Sequence, residues 1–598
     1  MKKLLFLLLK STFLTILVSI SGCSHLANSP KSVDDELKLK TEKKTVRTKL
    51  SEQPAKPTNM TAEMMYKVLL AEMLVKKQRP KTAFQVLYPL AVETRDKGLA
   101  KRVFHLSMKT LDVSAIDAAT TLWMEVSPKE DLPWKAAYLL DVRLGHVDAG
   151  LKKWQTYLSL TDKTLEEVFV ETSLRVAKSA PRLSGLSFLK KINEAYPTEP
   201  AAIFGFGSAA EEYREFKLAI PKLIESIERY DNLEASQLTD VSKEIKKEAY
   251  YSLANSYLRS KQYRHGINVI SPHLSEVPTD WRLQELLARL EVKAGMLEEA
   301  ENRYQLVVDN EPSAYSARLA LGLLLLERSE YAKAKKHLLI LKKNRPYFSI
   351  ATYYLGVSEQ NQAFFADAVN YFSQIKTRDY YIDAQLRMLE INFSKNGLTK
   401  TIQTINRLEV NSDQDKLKLY HAKAVFFGYE GKQLQAVNAY QEGLDIYPNN
   451  VNMLILQSQE LYGLKQFVRY ETNLLRVLEL EPQNVEALNG LGYHYVEQGK
   501  KLAQAEIMLE TANRLDPNSF YIIDSLGWLA FQKNEFDKSE ALLEKAFLLR
   551  EDLEVLLHLM QVKSQLDKNQ EAVALGEKYK RYFKNDAKLV KLLKQLQK

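Results

Sequence analysis

Several groups of residues in this chain carry letters that chemistry uses, and none completes a catalytic site. Gly205-Phe206-Gly207-Ser208-Ala209-Ala210 spells a dinucleotide fingerprint, whose glycines serve only in a turn between a strand and a helix. The surrounding periodicity is helical, so Phe206 and Gly207 are read as helix-packing residues. Ser187/Lys190 and Ser373/Lys376 have Ser-x-x-Lys spacing, but the motifs that would complete such a nucleophile site are missing. The nine His are scattered. No His-Glu-x-x-His and no Cys partners supply a zinc set, and His494 and His558 are read as helix-surface residues. Cys23 is the single Cys, which excludes a disulfide within the chain. Basic and acidic residues alternate as on solvated helix faces, and a formal charge of +9 over 598 residues leaves no nucleic-acid footprint. The chain is therefore expected to be no enzyme, to need no metal or cofactor, and to work by binding.

The elements that must position its binding residues are helices. From about Thr61 onward the apolar spacing is helical and no segment alternates like a strand. A self-similar unit of 34 residues recurs. Counting from Trp281, Ala288, Ala300, Tyr304 and Pro312 fall at positions 8, 20, 24 and 32. One step on, Tyr315 starts Gly322, Ala334, Leu338 and Pro346, and Ser349 starts Gly356, Ala368 and Phe372. After one weak unit, Leu417 starts Ala424, Ala436, Tyr440 and Pro448; Val451 and Val485 follow without a slip. In the Val485 unit the second helix is displaced by one residue, to Ala505, Leu509 and Ala512. Small residues at positions 8 and 20 let two helices touch, and Pro near position 32 stops the second. This resembles the tetratricopeptide repeat (TPR), and predicts an all-α superhelix of fourteen or fifteen helix pairs. Residues 61–245 read as irregular repeats and 246–598 as regular ones.

In the tetratricopeptide geometry that this pattern resembles, positions 2, 5, 9, 12 and 13 of the first helix face a concave groove. Here they hold Tyr353, Asn361, His421, Tyr429, Tyr462, Asn489, Tyr493, Asp524 and Trp528. Aromatic rings supply contact area at low entropic cost, and amides satisfy a peptide backbone, so this set suits an extended polypeptide. The competing role for each ring is packing on the next repeat.

The N-terminus reads as a leader. Lys2 and Lys3 precede an apolar run interrupted by Lys10, and no acidic residue occurs before Cys23. The apolar stretch after Lys10 is too short to span a bilayer. Ile20-Ser21-Gly22-Cys23 resembles a bacterial lipobox, which implies cleavage after residue 22 and acylation of Cys23. Ser24 is not the inner-membrane retention residue of that system, so the implied location is the periplasmic face of the outer membrane. Residues 23–60 are rich in Lys, Glu, Thr, Ser and Pro and read as a flexible tether.

Ala71-Glu72, Thr94-Arg95-Asp96, Ala100, Arg102, Trp123 and Pro128, with Leu488-Asn489-Gly490-Leu491-Gly492-Tyr493 and Ile523-Asp524-Ser525-Leu526-Gly527-Trp528, resemble blocks of the large TPR outer-membrane lipoproteins of Gram-negative bacteria. His558-Leu559-Met560-Gln561 departs from their pattern, lacking Gly-Glu after His-Leu. The resemblance implies an adaptor that binds a periplasmic C-terminal processing protease and presents protein substrates such as peptidoglycan hydrolases. A generic envelope scaffold, for peptidoglycan synthase activation or exopolysaccharide synthesis and export, is the alternative.

Overall fold

A computed structural model describes residues 61–597 except 235, 377, 378, 411 and 585. The leader 1–22, Cys23 and the tether 23–60 lie outside the described residues. Among the described residues there are 31 α-helices and no strand, and they run as fifteen antiparallel pairs closed by the helix Ala587–Leu596. The expected TPR superhelix is thus the fold. The glycines of the fingerprint-like segment lie inside the helix Pro200–Glu212, with Gly207 against Leu223. No described helix is long and apolar enough to cross a membrane.

The contacts divide the chain into two compact units, one running to Leu165 with Ser179–Phe188, the other comprising Glu166–Lys178 and Leu189–Lys598. In the first unit, conspicuous sequence blocks turn out to build turns and helix contacts. Arg95, at φ 49°, closes the helix Pro80–Thr94. Asp96 then opens Lys97–Ser107 by accepting the Leu99 N–H at 2.8 Å, which satisfies one orphan donor of the first turn. The Arg102 guanidinium grips Glu72 through two bonds of 2.7 and 2.6 Å. Trp123 is buried with Ala71, Ala83, Leu87 and Ala100.

In the second unit the repeat is visible in the backbone itself. Lys261, Gly295, Ser329, Ala363, Gly397, Gly431, Lys465 and Gly499 all have positive φ, each 34 residues after the last. In these eight pairs the left-handed residue lies at the turn from the first helix to the second. The weak unit skipped by the sequence pattern keeps the turn, because Gly397 (φ 70°) breaks the segment Phe393–Arg407 at that position. In the Val485 unit Lys501 adds a second left-handed residue (φ 52°), which absorbs the extra residue and starts the helix at Leu502. A Cβ at Gly322, Gly492 or Gly527 would meet Leu338, Leu509 or Leu543 at 3.3, 2.8 and 2.7 Å. Position 8 is therefore small because position 24 packs on it. Each core is shared by neighbouring pairs, as in the buried cluster running from Ala424 to Leu529, since one pair cannot bury its apolar face alone.

Candidate functional site

Helices Val485–Glu497, Phe520–Gln532 and Leu553–Gln565 are the first helices of three successive pairs. Asp524 and His558 stand 34 residues apart, one repeat length, so they hold equivalent positions and face each other. Asp524 Oδ1 lies 2.9 Å from His558 Nδ1, and both side chains are buried. The His558 ring stacks on Trp528 with centroids 4.2 Å apart at 13°, and Trp528 stacks in turn on Phe531 at 4.5 Å and 6°. From the preceding pair, Tyr493 brings its ring to 6.4 Å from His558 and donates its hydroxyl to Glu554 Oε1 at 2.8 Å. Tyr462 joins this stretch from one pair further back by hydrogen-bonding Glu497. Three expected groove residues, Tyr493, Asp524 and Trp528, are thus linked through Glu554 and His558, and Tyr462 bonds Glu497 on the helix that carries Tyr493.

Burial governs the electrostatics. It raises the Asp524 carboxyl above its usual value, and the hydrogen bond from His558 opposes it. Burial, with Glu554 reinforcing it, also holds the Tyr493 hydroxyl far above its ordinary range, so Tyr493 remains a neutral donor at physiological pH. Glu497 and Glu554 are exposed. The site therefore offers ring faces, hydroxyls and two solvated carboxylates along the first helices of adjacent repeats. Among the described residues no Ser, Thr or Cys is hydrogen-bonded to His558. No group of three His, Cys, Asp or Glu there converges on a metal position.

The remaining candidates stand apart. Asn489 is on the same helix one turn before Tyr493, with its Oδ1 enclosed and unbonded. Tyr353 packs within 5.1 Å of Tyr380 and 5.7 Å of Phe372 and hydrogen-bonds Arg387. Tyr429 lies against Phe393 and Phe426. His421 Nδ1 is 3.0 Å from the Tyr440 hydroxyl of its own repeat, and burial pushes its imidazole down to about 4. Asn361 is exposed at the end of its helix. Two expectations need correction: His494 and His558 are not surface residues. His494 is buried among Phe467, Tyr470 and Tyr462, with Nε2 3.3 Å from Glu471. A repeat offset of 34 from Asp524 is the sequence signal that would have found His558.

Parts of the chain are similar to known tetratricopeptide-repeat sequences. A tetratricopeptide-repeat family model matches residues 285–347. The TPR repeat-containing protein PA4667 of Pseudomonas aeruginosa is 27% identical over 209 residues, 35% of this chain and 35% of that protein. The match thus spans about a third of the curated relative's length. Among solved structures, a chain of the APC/C hetero-tetramer Cut9–Hcn1 is 14% identical, covering 90% of this chain and 97% of that one with a TM-score of 0.34. The thermophilic TPR protein TTC0263 of Thermus thermophilus is 19% identical, covering 31% and 98% with a TM-score of 0.28. Tetratricopeptide proteins are generally non-catalytic scaffolds that bind other proteins. The chain thus folds as tetratricopeptide repeats, and over 209 residues it is similar to a TPR repeat-containing protein of Pseudomonas aeruginosa.

Proposed function

We propose that this protein is a lipid-anchored adaptor, acylated at Cys23 on the periplasmic face of the outer membrane, that binds a C-terminal processing protease and presents protein substrates such as peptidoglycan hydrolases to it. The observation that carries the binding reading is the linked cluster of Tyr493, Asp524, Trp528, Glu554 and His558 on three successive first helices. Rings and hydrogen-bonding groups at repeat spacing match an extended segment that crosses several repeats. The protease and its substrates come from the sequence resemblance of the Leu488–Tyr493 and Ile523–Trp528 blocks. The test mixes the purified protein, a candidate protease and a full-length hydrolase and follows the hydrolase over time. Degradation should be faster with this protein present, and the protein alone should cleave nothing. Trp528→Ala, shown by its melting curve to remain folded, should weaken partner binding about thirtyfold, as expected for a buried aromatic anchor of about 2 kcal/mol. Hydrolase loss at one rate with and without the protein refutes the adaptor role.

A further inference from the structure

The first described helix, Ala62–Lys76, presents an apolar stripe with no described partner. Met65, Leu69 and Met73 are spaced four residues apart, one above the other on a helix, and are 53%, 58% and 57% exposed; Tyr66 beside them is 64% exposed. The opposite face buries Ala71 against the rest of its pair. The last helix, Ala587–Leu596, contrasts with it. It buries Leu589 and Leu593 and shows Lys588, Lys591 and Lys594 to solvent, the polar outer face that ends a solenoid in water. The first helix has the reverse character.

Charge indicates what covers it. Lys76 and Lys77 at the end of the stripe, with Arg79 and Lys81 in the next turn, are exposed, and no described carboxylate forms an ion pair with any of them. An apolar stripe beside a cluster of unpaired cations is the pattern of a helix lying in a bilayer interface, its apolar face among the acyl chains and its cations on anionic headgroups. A second copy fits less well. Four side chains of about 200 Å² each, a little over half exposed, offer on the order of 450 Å², short of the roughly 800 Å² per partner of a stable interface. We propose that the helix Ala62–Lys76 docks on an anionic phospholipid surface, which would fix how the repeats stand relative to the membrane. The docking does not depend on acylation of Cys23 or on the adaptor role.

The test uses the chain from Ser24 to Lys598, which contains every described residue and neither the leader nor the acylation site. Flotation with vesicles of equal parts phosphatidylcholine and phosphatidylglycerol should show binding at least tenfold tighter than to phosphatidylcholine alone. Leu69→Ser/Met73→Ser should lose at least tenfold, and Lys76→Gln/Lys77→Gln should narrow the preference for phosphatidylglycerol. Leu548→Ser, at an apolar side chain 89% exposed elsewhere, should change nothing. This chain has no Cys, so a nitroxide on Met73→Cys reports immersion directly; vesicles should shield it from a water-soluble relaxant, while the same label on Leu548→Cys stays accessible. Equal vesicle binding by the parent chain and Leu69→Ser/Met73→Ser, or an unshielded label at position 73, overturns the proposal. A sedimenting dimer that Leu69→Ser/Met73→Ser dissolves, or a protein partner lost with the same variant while vesicles are ignored, overturns it too and assigns the stripe to that occupant.

Discussion

Gly356→Ala should destabilise the protein although alanine is the better helix former. A Cβ at Gly356 would stand 2.5, 2.7 and 2.8 Å from three atoms of the Phe372 ring, where carbon atoms pack at about 3.5–4.0 Å. Phe372 is wholly buried and has Tyr353 against it at 5.7 Å, so the ring must move about 1 Å into filled space. Over-packing of this kind costs about 1–3 kcal/mol, and the helix-propensity gain of alanine returns about 1 kcal/mol. The net expectation is a loss of about 1 kcal/mol. Gly428→Ala is the control: its nearest atom is Glu460 Oε1 at 3.9 Å, so only the propensity gain of about 1 kcal/mol remains. Urea denaturation followed by helical circular dichroism should place the two variants on opposite sides of the parent. Hydrogen exchange should confine the Gly356→Ala loss to the helices Phe348–Asn361 and Phe365–Ser373 and their neighbours, because repeats couple mainly to adjacent repeats. Gly356→Ala/Phe372→Leu should recover part of the loss. A Gly356→Ala protein as stable as Gly428→Ala would refute the packing geometry.

Asp524 has a folded-state carboxyl raised above its usual 3.8, so its contribution to stability is largest below about that pH and is lost as pH rises through the raised value. The stability of the parent relative to Asp524→Asn, from urea midpoints between pH 4 and 7, should therefore fall as pH rises; a difference that grows with pH contradicts the assignment of burial as the dominant cause. Cys23→Ser should release the protein from the outer-membrane fraction or leave it with an uncut leader, and a variant that still sediments with outer membranes after salt and carbonate washes rules out acylation as the anchor.

The helical class and the 34-residue register were legible in the sequence because both rest on local rules. Apolar spacing chooses the helix face, small residues at Gly322, Ala334 and Gly492 mark where two helices of one pair meet, and Pro448 and Pro482 mark where the second ends. The weak unit escaped that reading because Glu390 and Ile402 stand at positions 8 and 20, where the other units have small residues; its turn survives in the backbone at Gly397. Which groove residues act together was decided only by the tertiary structure. Periodicity states which side of its own helix a residue lies on. It does not state how far each repeat is rotated on the next, and that rotation places His558 against Asp524 and Trp528 and lets Tyr493 reach Glu554 across an intervening repeat. The same rotation turns His494 into the core. It also packs Tyr353 and Tyr429 on neighbouring rings, although by helix position these two tyrosines look like the residues that line the site.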